Sequence, residues 1–221
     1  MKKIVIFGSG DYAKVLFSEI NNQKEYKFIG FVNEKEEDKK IITVFKKKKH
    51  KNIGSIKDCN KIQNLYGIIG VADNYTRKKI YKKISLLDIN IKWESIISKK
   101  SIIQSNVIIG SGSAILSNVN INTGTKIGNH CIINSSTTIE HDNNIANFVS
   151  TGPGVITGGN VKIKDNSFVG IGSVISHNII INKNTIIGAS SFVNKDCLSN
   201  SVYFGIPVKK IRDRKENDKY L

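Results

Sequence analysis

Residues Ser101 to Asp196 decide the fold. Cut every six residues they read SIIQSN, VIIGSG, SAILSN, VNINTG, TKIGNH, CIINSS, TTIEHD, NNIANF, VSTGPG, VITGGN, VKIKDN, SFVGIG, SVISHN, IIINKN, TIIGAS and SFVNKD. That is sixteen blocks without an insertion, with Ile or Val third in fourteen of them; the exceptions are Thr151 and Thr157. Residues two apart on a strand share a face, so the first and third positions of each block point the same way. Small and β-branched residues there suit a narrow interior, and Gly or Asn near the block ends suits tight corners. A single block cannot bury its own face, so the blocks must stack into a solenoid. Three blocks to a coil give about five coils at ~4.8 Å each.

The segment before the repeat reads differently. Residues 2–7 (KKIVIF) form a buried-strand pattern, followed by Gly8-Ser9-Gly10 and a helical stretch to about Asn21. Lys27 to Val32 and Tyr66 to Val71 read as further strands, Tyr75 to Leu87 as a helix, and Ile89 to Trp93 as a short last strand. Strand and helix in alternation predict a small Rossmann-like parallel α/β sheet. Ligands bind such sheets beyond the carboxyl ends of the strands, where a glycine turn at a helix N-terminus can hold phosphate. GSG lacks the third glycine of a dinucleotide fingerprint, so it reads equally as a structural turn. Asn33, ending the second strand, falls where a ribose or base would be met. The expected organisation is 1–92 α/β, 93–100 linker, 101–196 solenoid and 197–221 closing segment and tail.

The whole chain has 221 residues, 39% of them apolar and 24% charged, with two prolines. This composition excludes wholesale disorder, and the longest apolar runs are too short to span a bilayer. The net charge is +16. It reads either as affinity for an anionic partner or as a lysine-rich solvated surface, and no nucleic-acid motif accompanies it. The densest run, Lys46 to Lys51, falls in an expected loop. Cys59, Cys131 and Cys197 are widely spaced, odd in number and without a CxxC pair, as befits a reducing cytoplasmic protein.

Four histidines are candidates for chemistry. His50 lies in the lysine-rich loop and His130 at a block corner. His141 and His177 both stand fifth in their blocks, so residues 105, 123, 141, 159, 177 and 195 form one outward column. The histidine backbones lie two coils apart, ~10 Å, with no third ligand evident, which argues against a metal site. His141 alone reads as a solvated corner residue. Beside Glu140 and Asp142, which can orient an imidazole, and below Gly159, whose N–H could face a carbonyl, it reads as a general base.

The order GSGDYAKV, VADNYTRKKI, INSSTTIEHD, GNVKIKDNSFVGIG and FGIPVKKI resembles the nucleotide-sugar acetyltransferases of the NeuD/PglD type over nearly the whole chain. The resemblance implies a left-handed β-helix, a homotrimer, acetyl-CoA between neighbouring β-helices and a UDP-, dTDP- or GDP-linked sugar at the N-terminal domain. It makes His141 the general base and Asp142 its acidic support. Gly159 matches the glycine amide facing the acetyl carbonyl, and Ile171, Gly188 and Ala189 match positions lining the CoA groove. Gly8, Gly10, Asp11, Tyr12, Asn33, Glu34, Asn74 and Arg77 match positions near the nucleotide. Three positions depart from the pattern. Asp11-Tyr12 replaces Gly-His, Asn33 replaces an aspartate, and Ser150, carried over as a cofactor-binding position, replaces a histidine that contacts acetyl-CoA. The expected reaction is transfer of acetyl to the 4-amino group of a nucleotide-linked 4-amino-4,6-dideoxy sugar, without metal or acyl-enzyme. O-acetylation of a sugar hydroxyl, as in sialic acids, is the alternative enzyme; a non-catalytic sugar-nucleotide-binding or scaffold solenoid is the alternative of another class.

Overall fold

The computed structural model describes residues 1–33, 42–45, 48–50, 52–87 and 89–218. It divides into two compact units, one of residues 1–72 and 76–96 and one of residues 73–75 and 97–221.

In the first unit, β1 (Lys2–Phe7) is followed by α1 (Asp11–Asn21), β2 (Tyr26–Val32), β3 (Ile42–Phe45), β4 (Lys48–His50) and β5 (Asn52–Gly54). A 3-10 turn at Ile56–Lys61, β6 (Leu65–Ile69), α2 (Asn74–Ser85) and β7 (Ile91–Trp93) complete it. The five-stranded sheet runs β5-β2-β1-β6-β7, and all its pairings are parallel. The chain therefore winds outward on one side of β1 and then on the other, which places the topological switch beside β1. Ile4, Val5, Ile6 and Phe7 are buried, as a central parallel strand covered on both faces requires. Part of the lysine-rich segment is not loop: Lys48–His50 pairs antiparallel with Ile42–Phe45. Edge strand β5 is a second element beyond the expected four strands.

The second unit is a left-handed parallel β-helix. Each block contributes a two-residue strand from its second and third positions, and strands pair with those eighteen residues on, as in Ile121↔Ile139 and Ile139↔Thr157. The strands sort into three sheets. One holds Ile102–Ile103, Asn120–Ile121, Thr138–Ile139, Ile156–Thr157, Val174–Ile175 and Phe192–Val193. A second starts at Ile108–Ile109 and ends at Ile180–Ile181. The third runs from Ile96–Ile97 through Ala114–Ile115 to Ile186–Ile187, then takes on Ser201–Phe204, which is paired antiparallel with Lys209–Asp213. This sheet begins inside the stretch expected as linker.

The interior follows the predicted register. Third-position residues from Ile115 to Val193 are buried, but Ile103 and Ile109 in the first coil are not, since no full coil lies beneath them. First-position residues from Ser113 to Ser191 are buried too. Their hydroxyls are bonded in place, for example Thr125 Oγ1 to the Glu140 carbonyl at 2.8 Å and Ser173 Oγ to the Gly188 carbonyl at 2.9 Å. The two threonines that break the Ile/Val rule are equally buried, and each accepts from a backbone N–H one coil earlier: Thr151 Oγ1 from Asn134 and Thr157 Oγ1 from Glu140, both at 3.1 Å.

Candidate active site

The last residue of each block turns the corner, and most blocks demand the left-handed backbone region there. Asp142 has φ +58°, with Asn160 and Asn178 above it at +59° and +61°. Asp and Asn tolerate this region better than most residues. The corner after Thr138–Ile139 thereby carries Glu140-His141-Asp142 outward. It is pinned from inside by Asn143, whose side-chain NH₂ donates to the carbonyls of Glu140, His141 and Gly158 at 2.7, 3.1 and 2.9 Å.

His141 Nδ1 and Asp142 Oδ2 lie 2.8 Å apart, both side chains about half exposed at 52% and 57%. With the Nδ1 proton donated to the carboxylate, Nε2 carries the lone pair and is the acceptor of the ring. Glu140 plays no part in this pair. Its carboxylate accepts from Asn122 Nδ2 at 2.9 Å, so the expectation that it also orients the imidazole is replaced by support from Asp142 alone.

Gly159 lies against the same ring. A Cβ built on it would fall 2.6 Å from both Cε1 and Nε2 of His141, so only glycine leaves the imidazole where it is. Its N–H is also distinctive. On the next corner, each fifth-position N–H is claimed by a side chain one coil above: Ser111 by Asn129, Asn129 by Asn147 and Asn147 by Asp165, at 2.9, 2.8 and 2.8 Å. On the His141 corner no such ladder forms, and the Gly159 N–H has no acceptor among the described residues. His177, one coil further, is exposed. An imidazole braced at Nδ1 thus stands beside an open hydrogen-bond donor.

Ile171, Gly188 and Ala189 lie on a different corner, where the third sheet turns into the first. Ile171 and Ala189 are exposed, and the Phe204 ring lies over Gly188. The first sheet is bounded by this corner on one side and by the His141 column on the other. Its outward second positions are Ile102, Asn120, Thr138, Ile156, Val174 and Phe192, and those of the second sheet are Ile108, Lys126, Asn144, Lys162 and Ile180. Ser150 is buried, and its hydroxyl donates to Asn74 Oδ1 at 2.6 Å. Asn74 in turn donates to the Ser167 carbonyl at 2.9 Å and is fully buried. Neither side chain faces solvent as a ligand group would.

In the first unit, Gly8 has φ +99°, and a Cβ there would meet Val71 at 2.9 Å. Gly10 caps α1 with no side-chain bond and has open space where a Cβ would be, leaving the helix N-terminus clear. Asn33 donates to Ser9 Oγ, tying β2 to the turn. Asp11 is exposed and bonded to Lys14 at 2.7 Å, which holds its carboxyl below the usual range. Tyr12 is half-buried on the first turn of α1. Arg77 is 1% exposed and donates to the Val71 and Ala72 carbonyls at 3.0 and 2.7 Å, bracing the turn after β6 from inside. Glu34 lies outside the described residues, as does the side chain of His50. His130 is a corner residue, φ +53°, but buried and stacked on Phe148 at 5.1 Å.

No group of three or more metal-ligating side chains occurs among the described residues. Cys59 and Cys197 are buried, and burial pushes their thiols up to about 11 and about 12, far from nucleophilic thiolates. No described helix is long and apolar enough to cross a membrane.

Fold and site together define a two-unit chain in which a small nucleotide-type α/β unit accompanies a hexapeptide β-helix with a histidine at one corner. Comparison with known proteins carries this further. Residues 3–84 match the PglD N-terminal domain, and residues 160–195 match the bacterial transferase hexapeptide of six repeats. Both bear out the resemblance to the NeuD/PglD type. Among solved structures, PerB from Caulobacter crescentus in complex with CoA and GDP-perosamine is 23% identical, with a TM-score of 0.85 over 95% of this chain and 97% of that one. The acetyltransferase domain of PglB from Neisseria gonorrhoeae is 21% identical, with a TM-score of 0.82 over 96% and 100%. WeeI from Acinetobacter baumannii is 21% identical, with a TM-score of 0.79 over 94% and 99%. These likenesses establish the fold.

Proposed function

We propose that the protein is an acetyl-CoA-dependent N-acetyltransferase acting on the 4-amino group of a nucleotide-linked 4-amino-4,6-dideoxy sugar. The observation that carries the reading is the corner where His141, braced by Asp142, meets the unclaimed N–H of Gly159. Acyl transfer from a thioester needs a proton acceptor for the attacking amine and a donor for the carbonyl oxygen that becomes negative. In this reading the amine nitrogen attacks the acetyl carbon as His141 Nε2 removes its proton. The Gly159 N–H steadies the oxyanion, the C–S bond breaks, and the proton passes on to the departing thiolate. Transfer is direct, since the buried cysteines offer no activated thiol. The solved relatives include enzymes bound to CoA and an amino-sugar nucleotide, which supports the substrate class.

The active assembly in this reading is a homotrimer. The apolar outward stripe of the first sheet lies between the His141 corner and the Ile171–Ala189 corner. A copy seated on that stripe brings its own edge beside its neighbour's, and a head-to-tail contact of this kind closes as a ring. The nucleotide belongs at Gly8, Gly10 and Asn33, with the diphosphate on the α1 N-terminus. Ser150, Asn74 and Arg77 act as scaffold in this reading, since each is buried with protein partners. Buried cysteines that form no disulfide among the described residues support a cytoplasmic setting.

A thermal-shift series tests the reading. CoA and one of the UDP-, dTDP- or GDP-linked 4-amino sugars should each raise the melting temperature, because a ligand of the native state stabilises it by mass action. No shift with CoA at millimolar concentration would leave only a sugar-nucleotide-binding or scaffold role, and a shift and thiol release with hydroxyl sugars alone would favour O-acetylation.

A further inference from the structure

We propose that Lys195 binds the phosphate end of the acyl donor, a deepening that rests on the acetyl-CoA reading above. Strand Phe192–Val193 pairs with Val174–Ile175, that with Ile156–Thr157, and that with Thr138–Ile139. Lys195, His177, Gly159 and His141 each stand two residues beyond one of these strands, so they stack in one outward column. Lys195 is therefore three coils above His141, ~14 Å along the axis. The pantetheine arm has about thirteen bonds between its sulfur and the first phosphorus, which spans ~15 Å at the ~1.2 Å per bond of an extended chain. A thioester at His141 and Gly159 thus puts the diphosphate level with Lys195. The direction agrees: Ile171, Gly188 and Ala189 occupy the two coils between.

Lys195 is exposed and makes no ion pair with any described residue. Its neighbour Asp196 turns its carboxylate to the Ile180 N–H at 2.8 Å and away from that role. The other lysines beside this edge, Lys126 and Lys162, are also exposed, but their strands both pair directly with Asn144–Ile145, which places Lys126 below His141 and Lys162 one coil above it. At ~5 Å Lys162 is too low for a phosphate on an extended arm. Of these three lysines, Lys195 therefore stands at the right height and the other two do not.

Donor truncation tests this. Lys195→Ala should raise KM for acetyl-CoA about 5- to 10-fold with kcat nearly unchanged, the loss of one solvent-facing charged hydrogen bond. KM for acetyl-pantetheine, which lacks the phosphates, should not move. Lys195→Arg should keep most of the affinity, Lys162→Ala should change neither donor, and the rise of KM for acetyl-CoA with salt should flatten in Lys195→Ala. An unchanged KM for acetyl-CoA, an equal change for both donors, or a change confined to the sugar nucleotide would overturn the proposal. Calorimetric Kd values for CoA and pantetheine in the same variants should show the same contrast without turnover. If the wild type transfers no acetyl group yet binds CoA in a Lys195-dependent way, the catalytic reading fails and this one stands.

Discussion

Asp142 holds a left-handed corner and an imidazole at once, and these two tasks separate by substitution. Asp142→Asn keeps a residue suited to φ +58° but removes the charge that steadies a protonated His141. Turnover should fall, by less than the ~10²-fold or more expected for His141→Ala, which removes the proposed base itself. Gly159→Ala should fold, yet lose most activity, because a methyl would sit 2.6 Å from the His141 ring and push it out of place. Full activity in this variant would show that the ring does not work from its observed position. Thr157→Val leaves the Glu140 N–H without its 3.1 Å acceptor, one residue before His141. It should lower kcat several-fold, while Thr157→Ser restores it; equal effects of Val and Ser on kcat would mean that this hydroxyl does not position the base. His141, Asp142 and Gly159 were legible as a group because the eighteen-residue coil aligns them. What the period could not reveal was which side chains reach them. Glu140 turns to Asn122, Ser150 donates to Asn74, and Arg77 Nη1 donates to the Val71 and Ala72 carbonyls. Each depends on rotamers and distant partners that leave no periodic trace.

Among the elements, sixteen two-residue strands were readable because a first- and third-position interior admits few residue types. Burial then follows, except where the first coil has no coil beneath to cover Ile103 and Ile109. Edge strand β5 and the early Ile96–Ile97 strand gave no signal because three or two residues carry no periodicity of their own. The interior register has a direct check. Ile163 is fully buried among valines and isoleucines, so Ile163→Asp places an unpaired charge where no partner exists and should cost several kcal/mol, seen as lost soluble expression or a large fall in Tm. The same change at exposed Ile108 should be tolerated. Unchanged melting of Ile163→Asp would mean that the register is wrong.

For the whole molecule, the last three strands of the first β-helix sheet present Ile156, Val174 and Phe192 outward, while the second sheet sets Lys126 and Lys162 between Ile108 and Ile180. A net charge of +16 favours solubility of such a surface, and in the proposed trimer the apolar stripe is where neighbouring copies meet. Light scattering on active protein should report three protomers of 24.5 kDa each; a monomer mass would contradict a shared site. The central claim is that this assembly acetylates a sugar amine with His141 as base. The most direct measurement is free-thiol release from acetyl-CoA on adding nucleotide-linked 4-amino-4,6-dideoxy sugars, for the wild type and for His141→Ala with CoA binding verified. Thiol release should depend on one of these amines, fall ~10²-fold or more in the variant at neutral pH, and recover as rising pH frees the amine of its proton. Near-full activity of His141→Ala at neutral pH, or no amine-dependent release by the wild type, would contradict it.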